Sequence, residues 1–254
     1  MSAIKEEVFV SNRVVSTKVY NSVDDLPESE WKEAGYGTGL RKDFLSIVEK
    51  SEINDLDTTY VLCTDEMGNP IGRANLYQVD FDFATTDQTL SEIIKPLKKW
   101  YPKFMDFKVF ELGLFTMIGD GLETATPETR LPCLDTVADF MIEEGDENGS
   151  DFLLIRDVPL SRFSEYSEIL RPKGFLPCSG FTNAVLYNKW ENFDEFLAIH
   201  NSKSRNKMRA AMKIESKFDI EISIVKDFSD LCDDMERLWK NVNASSKDYS
   251  REQL

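Results

Sequence analysis

Glu111 is the side chain of this sequence that is best suited to acid–base chemistry. It stands in the apolar run VFELGLF, where burial would raise the pKa of a carboxyl group toward that of a working base. Gly113 follows two residues later and would permit a bulge or the close approach of a ligand. Such a base would remove a proton from an amine. The alternative is a structural glutamate that faces an edge or pairs with a cation.

A second candidate site is electrostatic and lies in residues 200–217, which hold six basic side chains and one acidic side chain. Arg205, Arg209 and Lys213 recur at every fourth position, so a helix would place them on one face. Such a face suits a phosphate-bearing ligand, for example a nucleotide or the acceptor end of a tRNA. The alternative is a solvated face that pairs with acidic side chains elsewhere in the chain.

Several classes of chemistry lack the residues that they need. His200 is the only histidine, so a Ser-His-Asp or Cys-His catalyst has no suitable base. The four cysteines match no metal-binding or redox spacing, and no metal is predicted. The net charge of −16 opposes broad attraction to nucleic acid and disfavours tRNA as a partner. No apolar run is long enough to span a membrane, so we expect a cytoplasmic protein without a membrane partner.

The elements that must position these residues are predicted from the period of the hydropathy pattern. The predicted strands are 14–20, 58–64, 71–81, 107–118, 151–158, 175–187 (one strand or a hairpin) and 220–225. The predicted helices are 27–34, 40–50, 90–100, 131–144, 162–170, 193–215 (one long helix or a pair) and 228–243. A turn-rich link between 58–64 and 71–81 indicates an antiparallel hairpin, and the most apolar strand, 107–118, is expected at the centre. The pattern predicts an α/β (α+β) fold with a mixed, largely antiparallel sheet and helices on both faces.

Three stretches resemble the double-domain branch of the GNAT acyltransferase superfamily, which contains the Fem-type aminoacyl transferases and the peptidoglycan biosynthesis/recognition proteins. The first runs from Trp31 to Gly72 and includes FLSIVEKS and YVLCTDEMGNPIG. The second is ILRPKGFLPCSGFTNAVL, residues 169–186, and the third is FLAIHNSKSRNKMRAAMKIESKFDIEISIVKD, residues 196–227. The resemblance implies a GNAT-like acyltransferase domain over residues 1–190 and the beginning of a second, incomplete one over residues 191–254.

The same resemblance implies an N-acyltransferase that moves an acyl or aminoacyl group from acyl-CoA or aminoacyl-tRNA to a small-molecule or peptide amine. Tyr166 stands near the place where GNAT enzymes have a tyrosine general acid, so Glu111 and Tyr166 are the implied catalytic residues. The residues expected to bind the cofactor are those of the basic face, Arg205, Arg209 and Lys213.

The family's glycine-rich phosphate loop is not matched in residues 119–132, where Asp120, Glu123 and Glu128 would repel a phosphate. This departure keeps two alternatives open. One is a catalytically degenerate GNAT-like domain that binds a ligand or a partner. The other is an assembly role, in which a homodimer would complete the second domain.

Overall fold

The computed structural model describes residues 6–7, 15–51, 56–83, 88–180, 186–213, 218 and 223–245. These residues divide into two compact units. The first ends at Gly180, and the second lies within residues 181–246. The assignment of residues 1–190 and 191–254 to two GNAT-like domains stays a prediction.

One mixed sheet organises the first unit, and it confirms the predicted fold class. Its strands are β1 (Glu6–Glu7), β2 (Ser16–Tyr20), β3 (Asp57–Thr64), β4 (Pro70–Asp82), β5 (Asp106–Leu112), β6 (Leu122–Thr124) and β7 (Phe152–Ile155). The strand order is β1-β2-β3-β4-β5-β7, with β6 paired to β4 beyond the end of β5. All pairings are antiparallel except that of β5 with β7, which is parallel.

Five helices accompany the strands in the described part of the first unit. They are α1 (Glu28–Glu33), α2 (Lys42–Lys50), α3 (Gln88–Lys98), α4 (Arg130–Asn148) and α5 (Phe163–Leu170). All five fall within a few residues of the helices predicted from the sequence. The β3–β4 connection is also the predicted tight turn, in which Asp65 Oδ1 accepts hydrogen bonds from the backbone N–H groups of Met67 and Asn69.

The two faces of the sheet are covered by different helices, because successive side chains of a strand point to opposite faces. In β3, Val61 and Cys63 are buried in the cluster that contains α4. Tyr60 and Leu62 are buried in a second cluster with Trp31 of α1. The sheet is therefore a central layer between α4 and α5 on one face and α1 and α2 on the other.

The second unit contains three helices among its described residues: α6 (Phe193–Ala198), α7 (Ser202–Met212) and α8 (Cys232–Ser245). Asn192 and Asn201 cap α6 and α7, since each side-chain oxygen accepts a backbone N–H three residues later. The cap at Asn201 explains why residues 193–212 form a helix pair. The strand predicted at 220–225 is absent from residues 223–225, and residues 220–222 lie outside the described residues.

Two further predicted strands differ in the structure. The strand 107–118 was expected at the centre of the sheet, but β5 is the second strand from the β7 edge, and β3 and β4 occupy the middle of the order. It was also expected to reach residue 118, but β5 ends at Leu112 and leaves residues 113–121 outside any strand. No strand forms in the described parts of 175–187, which are 175–180 and 186–187.

Candidate active site

The strand predicted over residues 107–118 is interrupted after β5 by a nine-residue segment, 113–121, which we call the excursion loop. β5 and β6 both pair with β4, and between them only Asn75 of β4 has no strand partner on this side. Asn75 closes the base of the loop: its N–H donates to Gly121 O (2.9 Å) and its carbonyl accepts from Gly113 N (3.2 Å). Its side-chain Nδ2 donates to Gly113 O (2.9 Å). A single residue thus holds both ends of the loop.

Glycine is required where the two ends of the excursion loop meet. Gly121 has φ +67°, and a Cβ placed there would lie 2.4 Å from the backbone nitrogen of Gly113. Both conditions exclude a side chain. The sequence indicated that Gly113 would permit a bulge. The geometry agrees, but the inserted segment is far longer than one residue.

Glu111 is buried and belongs to a cluster with a tyrosine and an arginine, which we call the strand cluster (Glu111, Tyr77 and Arg156). Tyr77 of β4 pairs with Glu111 across the sheet, and its hydroxyl donates to Glu111 Oε2 at 2.6 Å. Arg156, just beyond β7, donates through Nη1 to the Tyr77 hydroxyl at 2.6 Å and lies 3.4 Å from Glu111 Oε2. Glu111 is only 6% exposed. It is therefore both paired with a cation and able to exchange a proton with Tyr77.

The electrostatics of the strand cluster keep Tyr77 protonated. Burial raises the pKa of the Tyr77 hydroxyl well above its usual range, and the negative charge of Glu111 raises it further. At neutral pH a phenol with such a pKa is protonated, so it does not act as a base by itself. It can pass a proton on to Glu111 while it receives another.

Tyr166 lies in a second cluster of the same composition, which we call the loop cluster (Asp120, Tyr166 and Arg130). The Tyr166 hydroxyl donates to Asp120 Oδ2 at 2.7 Å and accepts from Arg130 Nε at 2.8 Å. Arg130 also forms an ion pair with Asp120. Burial, followed by the charge of Asp120, raises the pKa of Tyr166 well above its usual range. The hydroxyl is thus engaged on both sides within the protein.

A third ion pair anchors the segment before α2. Arg73, whose side chain is 3% exposed, donates through Nε to Glu123 Oε2 at 2.9 Å and through Nη1 to the carbonyl of Trp31 at 2.8 Å. Gly37 N donates to the same Glu123 oxygen at 3.1 Å. Asp120 and Glu123, expected to repel a phosphate, therefore bind arginines of the protein itself.

Two pockets flank Leu114 of the excursion loop. The acidic pocket has a volume of about 230 Å³ and lies between residues 38–40 and 114–123, with Asp120 and Glu123 in its wall. The apolar pocket encloses about 20 Å³. Its wall includes Phe44, Leu45 and Val48 of α2, Tyr60 of β3, and Asn75 and Tyr77 of β4.

The basic face of α7 lies in the second unit. Arg205 Nη1 donates to the carbonyl of His200 at 2.6 Å, so this side chain secures the turn before α7. Arg209 is exposed to solvent. The prediction that Arg205, Arg209 and Lys213 bind a cofactor stays a prediction, and so do the catalytic roles of Glu111 and Tyr166.

Sequence reasoning missed the partners of both predicted catalytic residues, namely Tyr77, Arg156, Asp120 and Arg130, and it missed Asn75. One signal was present in β4. In the segment IGRANLYQV, Arg73, Asn75 and Tyr77 alternate with apolar residues, which places three polar side chains on one face of a buried strand. Buried polar groups need partners, so this alternation indicates a polar network beneath the sheet surface.

No protein family and no solved structure matches this chain. Two curated relatives match, both named "Putative 8-amino-7-oxononanoate synthase 2", from Mycobacterium tuberculosis strains CDC 1551 / Oshkosh and ATCC 25618 / H37Rv. Each is 38% identical over 218 residues, which are 85% of this chain and 28% of the relative. The chain thus spans little more than a quarter of the length of these relatives.

The comparison corrects the cofactor prediction. Enzymes named 8-amino-7-oxononanoate synthase form a family that depends on pyridoxal phosphate and uses pimeloyl-CoA. The prediction named acyl-CoA, or aminoacyl-tRNA in its place. Its acyl-CoA part partly fits such a family, but the cofactor prediction is wrong because it leaves pyridoxal phosphate out. The sequence could not indicate pyridoxal phosphate, because the cofactor prediction depended on the resemblance to GNAT enzymes and on the basic residues of 200–217.

The described residues of this chain do not fit pyridoxal phosphate. That cofactor is held by a lysine as a Schiff base, with an Asp or Arg at its ring nitrogen. No lysine lines the acidic pocket or the apolar pocket. Lys98 and Lys173 are largely buried, but each is paired with two aspartates.

Among the residues that the structure describes, no group of three or more His, Cys, Asp or Glu side chains is placed to hold a metal ion. No helix among them is long and apolar enough to cross a membrane.

Proposed function

We propose that this chain is a GNAT-type acyl-transfer domain that joins an acyl group to an amine. The observation that carries the proposal is the strand cluster. A buried carboxylate, Glu111, is hydrogen-bonded to Tyr77 next to the point where β5 ends and the excursion loop begins. The enzyme name of the relatives supports a transferase of the acyl-transfer class. Their full activity is not carried over, because this chain spans 28% of their length.

In the proposed mechanism Tyr77 relays a proton to Glu111. Tyr77 lines the apolar pocket and Glu111 does not, so an amine in that pocket would meet the phenol first. The amine nitrogen forms a bond to the acyl carbon, and the bond to the donor's leaving group breaks, with its electron pair departing on that group. The amine proton passes to the Tyr77 oxygen while the Tyr77 proton moves to Glu111 Oε2.

Arg156 supports this relay without taking part in it. Its Nη1 donates to the Tyr77 oxygen and lies within 3.4 Å of Glu111. The cation stabilises negative charge on either oxygen as the proton moves. It also leaves the Tyr77 oxygen one lone pair with which to accept a proton from the amine.

A second candidate function is ligand binding without catalysis, and the loop cluster favours it. Tyr166 is the residue for which the resemblance implies general-acid catalysis, and its hydroxyl is bonded to Asp120 and Arg130. Turnover distinguishes the two functions, because a binding domain would retain its ligand and form no amide.

The test uses thioesters of N-acetylcysteamine, with acyl chains of two to eight carbons, as donors and n-hexylamine as the acceptor. Amide formation is followed by mass spectrometry. We expect turnover by the natural sequence and a loss of about 10²- to 10⁴-fold in Glu111→Gln, the usual effect of removing a general base.

The control is Glu66→Gln, which changes an exposed carboxylate in the β3–β4 turn and should leave turnover unchanged. Circular dichroism establishes that both variants are folded. If amide forms equally fast with Glu111→Gln, the proposed mechanism is wrong. If none forms with the natural sequence while hexylamine still binds, the second candidate function replaces the first.

A further inference from the structure

Asn75 has a buried hydrogen-bond acceptor with no partner. The residue is 5% exposed, and its Oδ1 atom has no hydrogen bond to the protein. The orientation of the amide is fixed, because Nδ2 must donate to the carbonyl of Gly113 at 2.9 Å. Oδ1 is therefore an unpaired acceptor that is buried from solvent. An unpaired buried acceptor costs about 1–3 kcal/mol, so a donor from outside the chain is expected to satisfy it.

The surroundings of Asn75 define what that donor can be. Asn75 lines the apolar pocket, whose enclosed volume of about 20 Å³ has room for one amino group or one water molecule. Phe44, Val48 and Phe115, which are half-buried and apolar, also line it. A ligand with a small N–H donor at its head and an aliphatic body satisfies both the orphan oxygen and the apolar wall.

We propose that the apolar pocket is the binding site for the amino group of an aliphatic primary amine, which donates a hydrogen bond to Asn75 Oδ1. The proposal rests on the proposed acyl transfer and names its acceptor. Tyr77 lies two residues further along β4, so its side chain points to the same face of the strand as that of Asn75. It also lines the same pocket. An amine held by Asn75 is thereby placed beside the proposed proton relay.

The pocket selects the uncharged form of the amine. No carboxylate lines it. Glu111 and Glu49 stand behind the lining residues Tyr77 and Tyr60 and already accept hydrogen bonds from their hydroxyls, so an ammonium ion would lose its hydration without contacting a counter-ion. Arg156, which donates to the Tyr77 hydroxyl, disfavours a second positive charge. The neutral amine is also the form with a free electron pair, which acyl transfer requires.

The test is a titration with n-hexylamine, followed by ligand-observed NMR, between pH 7 and pH 9. A simple alkylamine has a pKa of about 10.5, close to that of lysine, so its neutral fraction rises about tenfold per pH unit in this range. We expect saturable binding whose apparent affinity also rises about tenfold per pH unit. n-Hexanoate, which has no N–H donor, should not bind.

Two tryptophan variants of α2 locate the site without disturbing Asn75. Val48→Trp fills the apolar pocket and should weaken hexylamine binding at least tenfold. Ile47→Trp changes the neighbouring residue, which is 69% exposed and lines neither pocket, and should have no effect. Absence of saturable binding, affinity that does not change with pH, or equal binding by the two variants would each overturn the proposal.

This outcome is separable from that of the proposed function. Binding that Val48→Trp abolishes, without any amide formed, keeps the amine site and removes the transfer activity. Amide formation that Val48→Trp does not slow keeps the activity and removes this site for the acceptor.

Discussion

The strand cluster and the loop cluster contain the same three kinds of side chain and stand in different relations to the pockets. In the strand cluster the tyrosine, Tyr77, lines the apolar pocket and the carboxylate is buried behind it. In the loop cluster the carboxylate, Asp120, lines the acidic pocket, whereas Tyr166 lines neither pocket. The chemistry of a carboxylate–tyrosine–arginine set therefore does not define its role. What matters is which member a ligand can reach.

The positions of the clusters explain this difference. Glu111, Tyr77 and Arg156 come from three neighbouring strands or their ends, so the sheet fixes their spacing. Asp120, Arg130 and Tyr166 come from the excursion loop, α4 and α5. The loop cluster thus ties the loop to two helices, and we interpret it as a clamp that holds the loop closed.

The largest expected effect comes from Gly121→Ala, which changes the junction where Gly121 meets Gly113 at the base of the excursion loop. An alanine at φ +67° is strained by about 1–2 kcal/mol, and its Cβ would also collide with the backbone of Gly113. We expect the free energy of unfolding to fall by about 3 kcal/mol, measured by urea denaturation.

Gly149→Ala is the matched control, since Gly149 has φ +65° and nothing lies within 4 Å of its added Cβ. The free energy of unfolding of this variant should fall by only about 1 kcal/mol, the cost of a strained backbone conformation at positive φ. Equal losses in the two variants would mean that the junction is not tightly packed, and the account of the excursion loop would then be wrong.

The next effect separates the two tyrosines by activity. Tyr77→Phe removes the proposed relay and should lower the amide-forming kcat about 10- to 100-fold, with little change in hexylamine binding. Tyr166→Phe should leave kcat within about twofold and lower the free energy of unfolding by about 1 kcal/mol, because two hydrogen bonds are lost while the Asp120–Arg130 pair remains.

Both variants are measured with the thioester assay and by urea denaturation. The contrast between the clusters fails if Tyr166→Phe lowers kcat as much as Tyr77→Phe does. The contrast between the clusters is supported if a higher pH does not restore the activity lost in Tyr77→Phe. Deprotonating the amine does not replace a missing proton relay.

The smallest effect is a dependence of stability on alkaline pH that the two clusters share. The pKa values of Tyr77 and Tyr166 are raised in the folded protein, by burial first and then by a carboxylate. Above about pH 10 the unfolded tyrosines lose their protons while the folded ones keep them, so the unfolded state binds fewer protons. Stability is therefore complete below about pH 10 and decreases as the pH rises toward the folded pKa values.

Each of these tyrosines contributes up to about 1.4 kcal/mol per pH unit to that decrease. Urea titrations at pH 9.5, 10.5 and 11 of the natural sequence and of the two Tyr→Phe variants measure it. Each variant should show a shallower decrease than the natural sequence. An unchanged slope in either one would mean that its tyrosine is accessible to solvent in the folded state.

The sequence by itself determined the elements of the sheet and the class of fold. The β-branched and apolar run in residues 57–64, the alternation in residues 70–82, the turn between them and the amphipathic pattern of α2 are local signals. The structure places each element within two residues of its prediction. Glu111 as a buried polar interruption of an apolar strand was also visible, because burial follows from the apolar neighbours on both sides.

Tertiary structure alone decided the break after β5. Residues 107–118 are apolar apart from Lys108, Glu111, Gly113 and Thr116. Gly113 indicated that a bulge was possible, but nothing in the pattern indicates that β5 ends at Leu112 and that nine residues leave the sheet. The break depends on β6 returning to pair with β4 and on Asn75 bridging Gly113 and Gly121, which are 38 and 46 residues away. Such contacts join distant parts of the chain, so they leave no local period.

The same reason applies to the partners in the site. Tyr77, Glu111 and Arg156 are separated by 34 and 45 residues, and only the register of β4, β5 and β7 brings them together. The loop cluster likewise depends on a contact between Asp120 and Tyr166 across 46 residues. The sequence shows which residue types can do chemistry. The packing of strands and helices decides which residues become their partners and which side chain faces a pocket.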